Sequence, residues 1–232
     1  MATETVAFSS AIASVETALG PSARSERPSL YGPAKRTLDL VLAATLLLML
    51  LPVFAIVAVA ILLESGRPIF YRAERIGRFA TPFRVAKFRS MRCDADQGAH
   101  AAFIRDLLRD QVNCAVYKVP NDSRITRVGA FLRRTSLDEL PQLWNVIRGE
   151  MSIVGPRPDV PYAVAEYSDW IRPRLVVRPG ITGLWQVSGR SRLSLLDMYR
   201  LDVDYVTTAS LALDLRILMR TLPAVLGCTG AA

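Results

Sequence analysis

From Leu40 to Leu63 the chain carries no charged residue, and about 20 apolar residues suffice to cross a bilayer core as a helix. A cleaved signal peptide explains the run poorly, because it is long, begins late and lacks a small-residue cleavage site at its end. Lys35 and Arg36 precede it, and Arg67, Arg72 and Arg75 follow. The positive-inside rule therefore assigns both flanks to the cytosol. Pro52 lies within the run, removes a backbone donor and bends the helix. A helix that enters, bends at Pro52 and returns to the same face satisfies both signals, and the expectation is such a re-entrant segment over residues 33–65. A straight span that tolerates Pro52 is the alternative.

The remainder divides around this segment. Residues 1–32 mix Ser, Ala, Glu, Arg and Pro without periodicity and are expected to form a disordered cytosolic tail; residues 66–228 are expected to form one cytosolic catalytic unit. The 232 residues allow one domain with a real core and not two large ones. Gly66 to Met91 has the pattern of a β-hairpin, with Ile69 to Tyr71 and Phe83 to Phe88 as strands around a turn containing Gly77. Asp94 to about Asp110 spaces Phe103, Leu107 and Leu108 as an amphipathic helix does. Leu193 to Val206 and Leu211 to Leu226 also read as helices, the latter ending around Pro223. Their apolar content with Arg200, Arg216 and Arg220 interspersed suits either a membrane surface or ordinary core packing.

Net charge of +8 and a sequence pI near 9.9 suit an anionic partner without naming it. Cys93, Cys114 and Cys228 have no C-x-x-C spacing, so neither a disulfide framework nor a thiolate zinc site is indicated. With His100 the only histidine, His-rich metal sites are excluded.

Asp138 and Glu139 are adjacent within a field of arginines: Arg124, Arg127, Arg133 and Arg134 before them and Arg157 after. Neighbouring carboxylates repel, so such a pair makes sense where a cation or a positive dipole offsets the charge. Arginines in reach also hold phosphate oxygens by bidentate hydrogen bonds. The combination points to phosphoryl chemistry, with one carboxylate as nucleophile or Mg²⁺ ligand. Ser136 followed by Glu139 equally spells a capping box. Pro141 would remove a hydrogen bond from the helix so started, which predicts an irregular turn beside the carboxylates.

Four blocks then carry a family resemblance: Lys87-Phe88-Arg89-Ser90-Met91, Ser136 through Val146, Gly149 through Pro158, and Arg178 through Arg190. Over about residues 34–228 the chain resembles the bacterial sugar transferases, the monotopic polyprenol-phosphate phosphoglycosyl transferases. The resemblance implies an α+β, mainly helical monotopic enzyme with the re-entrant helix, a small β-hairpin and surface amphipathic helices. It implies transfer of a hexose 1-phosphate from a UDP-sugar to polyprenyl (undecaprenyl) phosphate with release of UMP, through a covalent phosphosugar on Asp138. Glu139 is implied as dyad partner and, with Asp138, as Mg²⁺ ligand. Lys87, Arg89, Arg133 and Arg157 match positions around the phosphates. The implied setting is the cytoplasmic face of the bacterial inner membrane, with inner-leaflet lipids and a second copy of the chain as candidate partners and no nucleic acid. The likeness is to the short, catalytic-domain-only members. One departure concerns the bend: the family often has Ser before the proline, and here Leu51 stands there, with no hydroxyl to satisfy a freed carbonyl.

Overall fold

The computed structural model describes residues 31–92, 124–189 and 193–226. Residues 1–30 of the expected tail and the expected helix at 94–110 lie outside them. The described residues are mainly helical, with two small two-stranded sheets, an α+β arrangement.

The apolar run is two helices, α1 (Tyr31–Met49) and α2 (Leu51–Ser65), bent by 59° at Leu50. Among the described residues no single helix is long and apolar enough to cross a membrane; this bent pair meets the length and composition only when taken together. Pro52 sits in the first turn of α2, where its missing N–H has no partner to lose and its fixed φ suits the helix start. The ladder continues on either side, Leu50 N donating to Leu46 O and Phe54 N to Leu50 O, both at 2.9 Å. The break thus forms with Leu51 and needs no serine.

Both outer ends of the pair belong to the body of the protein. On α1, Ala43 is fully buried in the main core with Leu143, Val146, Met151 and Ile217. On α2, Val57 and Ile61 pack with Phe88 and Leu132. The bend itself is bare: Leu48 and Met49 are each 70% exposed, and Leu51 and Ile56 are exposed too. The flanking charges also hold the structure together. Arg36 donates to Val146 O and Ile147 O at 2.7 and 3.0 Å, while Lys35 contacts Asp39 at 3.0 Å and Asp214 at 3.4 Å. Asp39 in turn accepts from Ile153 N at 3.0 Å.

The hairpin pairs β1 (Phe70–Ile76) with β2 (Pro82–Phe88) antiparallel, Phe70 opposite Phe88, through a turn at Gly77 to Ala80. Its first strand is longer than the pattern showed. Alternation along the two strands sends Ala73 of β1 and Phe83 and Val85 of β2 to the main core. Next come α3 (Arg127–Thr135) and α4 (Gln142–Arg148). The short strands β3 (Ser152–Val154) and β4 (Gly180–Thr182) pair in parallel, with α5 (Pro161–Ala165) between them in sequence. At Gly180 a Cβ would lie 2.1 Å from Gly155 N, so only glycine allows that crossing.

Three further helices complete the described chain, α6 (Leu184–Ser188), α7 (Leu195–Thr208) and α8 (Leu211–Leu226). Ser194 caps α7, accepting from Asp197 N at 3.2 Å, which fixes its start. Pro223 does not end α8, which runs on to Leu226. One face of α8 buries Asp214 and Ile217. Its other face exposes Leu211, Leu215, Met219 and Leu222 beside exposed Arg216 and Arg220.

Candidate active site

The acidic pair is built by α3, the turn after it and α4. Thr126 Oγ1 accepts from Gly129 N at 2.9 Å, and Glu64 at the end of α2 accepts from Arg127 N and Val128 N at 2.7 and 3.0 Å. These bonds satisfy amides that a helix start leaves open. At its far end α3 is closed by Ser136 in the left-handed region, φ 58° and ψ 16°. The chain then enters a single 3₁₀ turn, Leu137–Glu139, and α4 begins after Pro141.

The capping box does not form, because Ser136 terminates the preceding helix and its side chain makes no cap hydrogen bond. The irregular turn expected next to Pro141 is present. Asn145 of α4 pins this unit to the hairpin: its Nδ2 donates to Arg84 O at 2.9 Å and its Oδ1 accepts from Ala86 N at 3.0 Å. Lys87, the next residue on β2, is thereby set facing the turn.

The two carboxylates meet different surroundings. Glu139 Oε1 accepts from Lys87 Nζ at 2.8 Å and from Arg157 Nη2 at 2.6 Å, and Oε2 accepts from Arg157 Nη1 at 3.2 Å. Burial opposes its charge, yet Arg157 and Lys87 hold its pKa well below the usual glutamate range. Asp138 is buried, and no side chain among the described residues hydrogen-bonds its carboxylate. Burial pushes its pKa up; Lys87, Arg157 and Arg133 pull down, while the Glu139 charge adds to the rise.

Of the residues singled out in the sequence, Asp138, Glu139, Lys87 and Arg157 come together, with Arg133 close enough to act on Asp138 electrostatically. Arg133 is aimed by Ser90, whose Oγ accepts from its Nε at 3.1 Å. Arg89 is put to another use: its Nη2 donates to Ser65 O and Gly66 O, both at 2.7 Å, and to Ser65 Oγ at 2.6 Å. It clamps the end of α2 to the hairpin. Pro52 lies at the bend and supplies shape rather than chemistry.

Among the described residues no three of His, Cys, Asp and Glu cluster to hold a metal by themselves. A Mg²⁺ that takes one or two carboxylates and completes its shell with water and substrate phosphate needs no such cluster. Asp138, with no hydrogen-bonding side chain, and the lone pair left on Glu139 Oε2 fit that donor set.

Residues 30–228 match the family described as bacterial sugar transferase. The chain belongs to this family. The exopolysaccharide production protein ExoY of Rhizobium meliloti (strain 1021) is 42% identical over 194 residues, 84% of this chain and 86% of that protein. The UDP-galactose-lipid carrier transferase of Erwinia amylovora is 43% identical over 197 residues, 85% of this chain but 41% of that protein. The UDP-glucose:undecaprenyl-phosphate glucose-1-phosphate transferase of Caulobacter vibrioides is 41% identical over 200 residues, 83% of this chain and 69% of that protein. This chain therefore spans about two fifths of some family members and most of others.

Two contributors escaped the sequence reading: Asn145 and Gly129. Asn145 stood inside a recognised block, but nothing in the pattern showed that it would pair with strand β2. Gly129 acts through a long-range contact, a Cβ there meeting Ser90 O at 2.1 Å, for which local periodicity carries no signal.

Proposed function

We propose that the protein transfers a hexose 1-phosphate from a UDP-sugar to polyprenyl phosphate, undecaprenyl phosphate in bacteria, releasing UMP. The observation that carries this reading is the unequal treatment of two adjacent carboxylates. Environments that push paired groups apart assign them different roles. Glu139 is an ionised anchor that orders Lys87 and Arg157. Asp138 is left to react.

In the first step a carboxylate oxygen of Asp138 attacks the sugar-bearing phosphorus. The bond from that phosphorus to the bridging oxygen breaks, and UMP departs with the electron pair. The product is an aspartyl phosphosugar. A phosphate oxygen of the polyprenyl phosphate then attacks the same phosphorus, the Asp138 carboxylate leaves, and a polyprenyl diphosphosugar results. Lys87, Arg133 and Arg157 supply fixed positive charge where negative charge develops, the dominant contribution in phosphoryl transfer. Mg²⁺, held by Asp138 and Glu139, would add further offset to the diphosphate charge when bound.

A lipid-linked acceptor requires a site at the membrane. The bare apolar bend and the exposed α8 stripe support a seat on the cytoplasmic face of the bacterial inner membrane, among inner-leaflet lipids. The Erwinia relative is named for UDP-galactose and the Caulobacter relative for UDP-glucose, so these two donors head the test panel. The ExoY name supports a role in exopolysaccharide production, in which transfer to polyprenyl phosphate would be the first membrane step.

The test is a burst experiment. With UDP-sugar and Mg²⁺ but no acceptor, the enzyme releases about one equivalent of UMP, as covalent catalysis requires. Intact mass then shows a hexose-phosphate adduct on the Asp138 peptide, and Asp138→Asn shows neither burst nor adduct. Turnover that needs both substrates bound together, with no adduct under rapid quenching, would remove Asp138 as nucleophile. Full activity in excess chelator would remove the metal.

A further inference from the structure

Behind Arg157 lies a buried polar network outside the carboxylate pair. Arg174, in the short 3₁₀ segment Arg172–Val176, is buried. Its Nε donates to Asp202 Oδ2 at 3.0 Å, and its Nη2 lies 2.8 Å from the same oxygen. Its Nη1 donates to the Tyr167 hydroxyl. Its Nη2 also donates to the backbone carbonyl of Arg157 at 3.0 Å.

Two residues further on, Asp159 accepts from Tyr167 Oη at 3.0 Å and Tyr199 Oη at 2.5 Å, and its own carbonyl accepts from Ile76 N at 2.9 Å. The stretch Pro156 to Asp159 is thus gripped from the interior. On its outer side, the Arg157 guanidinium forks onto Glu139.

A buried ion pair gives little net stability, because desolvation about cancels the attraction. What a planar guanidinium supplies here is direction: one rigid group reaches a carboxylate, a hydroxyl and a carbonyl at once, which lysine cannot. We propose that Arg174 is a positioning residue for phosphoryl transfer, fixing the Arg157 carbonyl so that the Arg157 side chain is aimed at Glu139 and at the diphosphate. The inference rests on the functional reading above.

Arg174→Lys keeps a positive charge beside Asp202 and loses the fork; Tyr167→Phe removes only the hydroxyl linking Arg174 to Asp159. Each is made in the full chain, alone and on top of Arg157→Ala, and UMP release is measured as kcat and KM. Alone, each lowers kcat by about 10- to 100-fold with KM less affected, the scale of a misplaced catalytic group. On top of Arg157→Ala the extra loss is under about twofold, as for residues acting through one group.

Equal losses in both backgrounds, or none in the first, overturn the proposal. If both single variants lose their thermal transition, the network holds the fold rather than aiming Arg157, and the proposal also fails; if only Arg174→Lys does, Tyr167→Phe decides. A wild-type protein that releases no UMP from any UDP-sugar sinks the functional reading instead. The Arg157–Glu139 fork, compared between structures of wild type and Arg174→Lys, then decides the geometry: it opens in Arg174→Lys if Arg157 loses its aim, and an unmoved fork refutes it.

Discussion

Adjacent in sequence, Asp138 and Glu139 should respond to amide substitution with opposite signs. Burial raises the Asp138 pKa in the folded state. Such a group contributes stability that is present below its unfolded pKa and lost as pH rises through the folded one. At neutral pH the Asp138 charge is therefore a cost, and Asp138→Asn is expected to melt higher than wild type, the gap closing as pH falls toward 3.8, the unperturbed value. Glu139 has a lowered pKa, so its contribution is present above the ordinary glutamate value of 4.5 and fades as pH falls. Glu139→Gln strands Lys87 and Arg157 and is expected to cost about 1–3 kcal/mol at pH 7. Thermal melts of both variants from pH 4 to 8 check this. A destabilised Asp138→Asn would show that Asp138 is structural. The same raised pKa puts the acid limb of the UMP burst rate above the ordinary aspartate range.

At the scale of elements, the unit from α3 to α4 shows what sequence carries and what it leaves out. The acidic pair and Arg157 were legible because their residue types state a chemistry, Lys87 only through the family resemblance, and the hairpin because alternation and turn residues are local. For Arg89 the structure adds a contact the block did not show: its sequence neighbours do not reveal that Ser65 and Gly66 end a helix beside it. Ser136 was read as a helix start because a capping-box pattern does not encode that the previous helix ends there in a left-handed turn. Gly129 left no signal at all, since glycine inside a short helix looks like a weakness of about 1 kcal/mol against alanine. Its reason is contact: a Cβ there would sit 2.1 Å from Ser90 O, and Ser90 Oγ is the acceptor that aims Arg133. Gly129→Ala is thus expected to destabilise by about 1–3 kcal/mol despite its better helix propensity, and to lower the burst rate as α3 is pushed off Ser90. A more stable, fully active Gly129→Ala would show that helix propensity outweighs this contact.

For the molecule as a whole, the proposed reaction needs one body to hold both a lipid-linked acceptor and a water-borne nucleotide sugar. The main core takes in α1 through Ala43, and a separate cluster under the hairpin takes in α2 through Val57 and Ile61. Lys35 and Arg36 are tied to the same body by Asp39, Asp214 and the end of α4. Two ends anchored on one body suit a segment that returns to the face it entered, the geometry expected of a re-entrant pair. On the membrane seat proposed above, the exposed Leu48, Met49, Leu51 and Ile56 are the part that dips into lipid, which accounts for an apolar tip on a chain of net charge +8. Cysteine accessibility tests this. In a background free of Cys93, Cys114 and Cys228, Gly32→Cys and Arg67→Cys occupy exposed positions at the two ends, and Met49→Cys occupies the bend. Membrane-impermeant thiol reagent is expected to label positions 32 and 67 from the cytosolic side alone and to leave position 49 unlabelled from either side. Labelling of 32 and 67 from opposite sides would establish a bitopic helix and require one end of the pair to leave the core in the membrane.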